Sequence, residues 1–230
     1  MARLLTKFRP KRRWVQVSLR SVFVLVTLLS IGLSLWVASA ERQRRAIAAI
    51  EALDGSEMSY VDRPVTFLQR WLPPLYFAEV NVVVLDNTQV TDAGLAHLQG
   101  LTSLQVLYLD NTKITDVGLA HLQGVTSLQV LYLSNTLVTD AGLAHLQGLM
   151  DLQGLWLANT QVTDAGLAKL QGLTSLQRLD LHSTQVTDAG LAHLQGLTGL
   201  QMLSICNTQV TDVGVAKLRK ALPNCGIRGP

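Results

Sequence analysis

VTDAGLAHLQGL, the stretch from Val90 to Leu101, returns unchanged at 138–149 and 186–197, with one substitution at 162–173 and three at 114–125. Its Thr-Asp pair marks the beat: Thr91-Asp92, Thr115-Asp116, Thr139-Asp140, Thr163-Asp164, Thr187-Asp188 and Thr211-Asp212 are spaced by 24 residues. One unit of that length cannot bury its own apolar residues, so the units must stack and share a core. Within the second copy, Leu107-Tyr108-Leu109 alternates as a short strand does, while Leu119 and Leu122 are three apart, as on one face of a helix. That helix begins at Thr115 or Asp116 and ends at Gly124. Each unit therefore reads as strand, turn, short helix and return.

The full period, L-x-x-L-x-L-x-x-T-x-V/I-T-D-x-G-L-x-x-L-x-G-L-x-x, resembles a leucine-rich repeat. The VTDxGL segment is similar to the cysteine-containing, F-box-associated subclass. A closer resemblance is to bacterial membrane-anchored proteins that join a basic SLRSxFVLVTLL-type segment to 24-residue VTDAGL repeats and a terminal ALPNC. It covers residues 18–53 and 67–227. It implies an α/β solenoid, curved, with parallel strands on the concave face and short helices on the convex face. The bend has a simple cause: neighbouring strands need about 4.8 Å, whereas helices with side chains need about 10 Å. No F-box-like segment stands ahead of the repeats here, so an adaptor role in ubiquitin ligation is not carried over. Thr88, Thr112, Thr136, Thr160, Thr184 and Thr208 stand where many such repeats have Asn or Cys. A hydroxyl there is expected to point inward and satisfy backbone groups at the turn after each strand.

Repetition preserves packing, and the variation lies on the outward strand positions. The strand centres run Val84, Tyr108, Tyr132, Trp156, Asp180, Ser204. Two residues earlier the series is Val82, Val106, Val130, Gly154, Arg178, Met202, and two later it is Asp86, Asp110, Ser134, Ala158, His182, Cys206. Tyr108, Tyr132 and Trp156 should form one exposed aromatic ladder, flanked by Val106 and Val130, with Arg178, Asp180 and His182 just beyond. Aromatic residues beside an arginine are the usual material of protein interfaces, so a protein or peptide ligand is expected there. An envelope glycan stacking on the rings or a purely structural spacer in the cell envelope are the alternatives, and cross-strand packing that only stabilises the sheet is the plainest account of the ladder.

Other columns carry less chemistry. His97, His121, His145 and His193, interrupted by Lys169 and followed by Lys217, lie too far apart on successive helices to bridge a metal and read as a solvated face. The aspartates of the Thr-Asp pairs sit at helix starts, where capping and the helix dipole account for them without calcium. Cys225 falls in register with position 201, five residues from Cys206, about 16 Å along a strand. That exceeds the reach of a disulfide, so two free thiols are expected. The sequence contains no HExxH, G-x-S-x-G, phosphate-binding glycine loop or CxxC, so neither an enzyme nor a cofactor is expected.

Charge divides the 230-residue chain. Residues 1–79 hold 12 Lys/Arg against 6 Asp/Glu, and residues 80–230 hold 7 against 10, which argues against nucleic acid as a partner of the repeats. The basic excess precedes the uncharged run SVFVLVTLLSIGLSLWVASA at 21–40. As a helix this run rises about 30 Å, the thickness of a bilayer's hydrocarbon core. Seven basic residues and no acid precede it, so the positive-inside rule places the N-terminus in the cytoplasm and the repeats outside, in a bacterium the periplasm or an equivalent envelope space. Ala38-Ser39-Ala40 also fits a signal-peptide cleavage site, the alternative to a retained anchor. The expected organisation is a basic tail at 1–20, a signal-anchor helix at 21–40, a juxtamembrane helix and irregular linker at 41–66, and an N-terminal cap at 67–79. Six repeats at 80–222 and a C-terminal cap at 223–230 complete it.

Overall fold

The computed structural model describes residues 19–52, 57–61 and 79–229. Its contacts divide the chain at residue 40, leaving 1–39 as one unit and 40–230 as the other. A helix, α1 (Leu19–Glu51), runs through the division. In the first unit its apolar side chains, among them Val24, Leu28, Leu29, Ile31, Leu33 and Leu35, are exposed. Among the described residues no helix is long and apolar enough to cross a membrane. Residues 21–23 and 25 of the expected span fall outside those whose side chains are described.

The second unit is the repeat array. Its strands are β1 (Glu57–Val61), β2 (Glu79–Val84), β3 (Val106–Tyr108), β4 (Val130–Tyr132), β5 (Gly154–Trp156), β6 (Arg178–Asp180), β7 (Met202–Ser204) and β8 (Gly226–Arg228). They form one sheet in chain order. From β2 to β8 the strands are parallel, and every register shift is one period: Val82 faces Val106, Val106 faces Val130, and so on to Met202 against Gly226. Opposite the strands lie α2 (Asp92–Leu95), α3 (Asp116–Ala120), α4 (Asp140–Leu143), α5 (Asp164–Leu167), α6 (Asp188–Leu194) and α7 (Asp212–Ala221). Helices α2, α4 and α5 run on into 3-10 turns. Between the two layers the leucines of successive repeats merge into a single buried cluster.

Three differences from the sequence-based organisation concern the ends. The apolar stripe of residues 41–53 is not simply juxtamembrane: Ala46, Ile47 and Ile50 are buried in the same core as the first repeat. The stretch expected to be irregular contains β1, which pairs antiparallel with β2. The C-terminal cap supplies a seventh parallel strand, β8. The aromatic cap expected at 67–79 lies outside the described residues apart from Glu79, the first residue of β2.

Three residues after each of β2–β7 the backbone turns left-handed: Asn87, Asn111, Asn135, Asn159, Ser183 and Asn207 have φ between 54° and 59°. Asn tolerates this region better than most residues, because its short amide can bond locally. The next residue is the inward threonine. Thr88, Thr112, Thr136, Thr160 and Thr184 are buried, and each hydroxyl donates to the carbonyl three residues back, as Thr136 Oγ1 does to Leu133 O at 2.6 Å.

The Thr-Asp pair does more than start a helix. Thr115, Thr139, Thr163, Thr187 and Thr211 are N-caps whose hydroxyls accept a backbone N–H from the first turn. The aspartate that follows reaches into the next repeat instead of serving its own helix. Asp140 Oδ1 accepts the Thr163 N–H at 2.8 Å, and Asp140 Oδ2 accepts the Thr163 hydroxyl at 2.6 Å. Asp92, Asp116, Asp164 and Asp188 grip Thr115, Thr139, Thr187 and Thr211 in the same way. This corrects the assignment of the aspartate column to capping and dipole alone. It also explains the glycine of T-D-x-G. A Cβ on Gly118, Gly142, Gly166, Gly190 or Gly214 would collide with the Oδ1 of the preceding repeat's aspartate.

Two bonds from Thr211 hold the Asp188 carboxyl below its ordinary value of 3.8. A depressed folded-state value means this clamp stabilises the array above that pH and is lost as pH falls through the folded value. Gly166→Ala is expected to cost about 1–3 kcal/mol of unfolding free energy. In an Asp140→Ala background the same substitution should cost less than half as much, as read by urea denaturation of the four variants. Additive losses would show that the glycine is not making room for the clamp.

Candidate binding face

Parallel pairing at one-period register puts the strand-centre residues side by side. Tyr108 faces Tyr132, and Tyr132 faces Trp156. Their rings stack: the Tyr108 and Tyr132 centroids are 4.4 Å apart with planes 6° from parallel, and Tyr132 and Trp156 are 4.2 Å apart at 20°. These spacings are shorter than the roughly 4.8 Å between strands, so the side chains converge above the sheet, as on the inner side of a bend. Both faces of Tyr132 are therefore covered by its neighbours, and the ladder offers solvent ring edges and hydroxyls. Burial, followed by the neighbouring Tyr108 phenol, raises the Tyr132 hydroxyl above its ordinary value.

Gly154 explains the third ring. It lies two residues before Trp156 on the same side of the sheet, and a Cβ there would meet the six-membered ring of the indole. In the outward series Gly154 is thus the place over which Trp156 lies, and it is itself buried.

The remaining expected site residues share this face. Val106 and Val130 are half-buried, two residues before the tyrosines. Arg178 is exposed and in register with Gly154, while Asp180 is in register with Trp156. The His182 N–H donates to Asp180 Oδ1 at 3.0 Å, turning the chain at the end of β6. The structure brings the eight residues onto one continuous surface, and it adds two that the sequence patterns did not single out. Asp86 Oδ1 accepts the Asp110 N–H at 2.7 Å, and Asp110 Oδ1 accepts the Ser134 N–H at 2.6 Å. Desolvation pushes both carboxyls above 3.8, and for Asp110 repulsion from Asp86 and Asp180 adds to it. The signal for them was the repeated acid two residues after the strand centre.

The other columns are structural. His121, His145 and His193 meet the side-chain amides of Gln99, Gln123 and Gln171 across the repeat boundary, Nε2 to Nδ1, at 3.0, 2.6 and 2.9 Å. These half-buried imidazoles are knitted into the helix side and are not merely solvated. Among the described residues, no group of three or more His, Cys, Asp or Glu is placed to hold a metal. Cys206 and Cys225 are both free, and Gly226 against Met202 sets Cys225 beside Gln201, the register that separates the thiols.

Leucine rich repeat family models match residues 78–138 and 172–194. Similar solved structures include two internalins of Listeria monocytogenes. One, inlF, is 25% identical with a TM-score of 0.53 over 61% of this chain. The other, inlC2, is 29% identical with a TM-score of 0.50 over 64% of this chain. The matched region spans 38% of the inlF chain and 70% of the inlC2 chain. No curated protein sequence matches. The repeats are thus similar to leucine-rich repeats, with internalin-like neighbours among solved structures.

Because Asp110 is raised in the folded state, its charged form opposes folding and protonation relieves the penalty as pH falls through the raised value. Asp110→Asn keeps the Oδ1 acceptor and removes the charge. Its melting temperature should equal or exceed that of the parent at pH 7, and the gain should vanish at pH 3. A large loss at pH 7 would show that the carboxylate charge itself holds the turn.

Proposed function

We propose that this chain is a membrane-anchored leucine-rich repeat recognition module that binds a protein or peptide along the outward face of β2–β7. The observation that carries this is the stacked ladder of Tyr108, Tyr132 and Trp156, bordered by Val106 and Val130 and followed by Arg178, Asp180 and His182. A ridge of ring edges beside apolar and charged side chains suits a peptide backbone and its side chains, and pre-stacked rings lose little entropy on binding. A stacked sugar needs an open ring face; Tyr132 has none, and stacking leaves one face each on Tyr108 and Trp156, at the two ends of the ladder. Leucine-rich repeats of the internalin type generally serve as protein-interaction domains, which agrees with this assignment.

The anchor is the uncharged run at 21–40, with residues 1–20 in the cytoplasm and the repeats in the extracytoplasmic space. Its support is the run's length and the charge imbalance around it. Tryptic peptides spanning residues 37–44 are expected from the mature protein; a mature N-terminus at Glu41 would make the segment a cleaved signal peptide.

A photo-crosslinking residue at Arg178 in the full chain, expressed in cells, should capture a discrete protein adduct. The same probe at Val117, exposed on the helix side, should not. Equal adducts from both positions would sink the assignment to the strand face, and retention by isolated wall polymer instead would favour the glycan.

A further inference from the structure

Charge is unevenly spread over the strand face. Asp86 and Asp110 stand next to each other after β2 and β3, beside Val84 and Tyr108, whereas the face's arginines, Arg178 on β6 and Arg228 on β8, lie further along the sheet. Among the described residues, neither aspartate forms an ion pair. Each has committed Oδ1 to a backbone N–H, and an ionised carboxylate can accept several bonds more. Around them the face is free of bases: residues 82–86, 106–110 and 130–134 contain these two acids and no Lys or Arg. Such a surface attracts cations over a distance and rejects acidic partners.

Apolar surface and charge meet along one line. Val84, Tyr108, Tyr132 and Trp156 occupy one row across the strands, and Asp86 and Asp110 begin the row next to it. We infer that the partner presents a basic segment to this face, with apolar side chains along the Val84–Tyr108–Tyr132–Trp156 row and a lysine or arginine on Asp86 and Asp110. This rests on the proposed role of the strand face as a binding surface and specifies the chemistry of its occupant. Half-buried acids that repel each other gain most from a cation placed between them, because partial burial weakens the screening that makes exposed pairs nearly worthless.

The test pans a phage-displayed random dodecapeptide library on the immobilised full chain, on D86N/D110N and on Y132A/W156A. Asn retains the Oδ1 acceptor at both turns, so D86N/D110N should melt no lower than the parent. Should Y132A/W156A unfold in a thermal melt, V130K takes its place. Peptides enriched on the parent are expected to combine Lys or Arg with apolar residues. On D86N/D110N the basic excess should disappear while the apolar preference remains. A synthetic copy of the enriched peptide should bind D86N/D110N about three- to tenfold more weakly than the parent, and binding should weaken as salt is raised. Parent-selected peptides without a basic excess, or with one that survives D86N/D110N, would overturn the inference. If Y132A/W156A still abolished their binding, the recognition face itself would stand. No selection on the parent, or selection indifferent to the ladder variant, would remove both.

Discussion

The bond between each aspartate and the threonine of the following repeat is the constraint on which the array depends. A carboxylate that accepts both the N–H and the hydroxyl of one residue, as Asp140 does from Thr163, fixes the distance and the rotation between two repeats together. Charge-assisted bonds of this kind are the stronger class of hydrogen bond. The gripped hydroxyl is also turned so that its lone pairs meet the first turn of its own helix, as in Ala165 N–H to Thr163 Oγ1. Capping and stacking are one event. The motif's glycine follows from the same geometry, since any side chain there would occupy the carboxylate's place.

With the helix side pinned, the strand side is free to vary. The strand register is held by backbone bonds at every repeat, such as Gln129 N–H and Val130 N–H both donating to Gln105 O. These bonds are indifferent to the outward side chain. Tyr108, Tyr132 and Trp156 can therefore succeed one another at a fixed position and stack, while Asp180 and Ser204 take the same position further on without disturbing the core. The candidate face is the variable product of an invariant frame.

Much of this was legible in the sequence. The 24-residue beat predicted the pairing of Val106 with Val130 and of Tyr108 with Tyr132, the inward threonines, and the separation of Cys206 from Cys225. What escaped was whatever has two sufficient local explanations. Asp at a helix start is already accounted for by the dipole, and its true partner lies 23 residues away. The Asn column was hidden by the threonine beside it, although its recurrence before every Thr but Thr184, which follows Ser183, was available as a turn signal. Strand β1 could not be read from the repeat at all: Glu57–Val61 lies outside the period, and antiparallel pairing with β2 gives it a place the pattern does not encode. Gly154 looked like a gap in a variable series, because only coordinates show an indole folded over it.

Among the described residues, the side-chain bonds between repeats span 22 to 24 residues and no more. No polar link among them skips a neighbour, so tension applied along the chain is borne by one junction at a time. Each repeat that gives way releases about 80 Å of extended polypeptide. Under load such an array unravels like a ratchet, lengthening in equal increments while the coils not yet reached keep their shape.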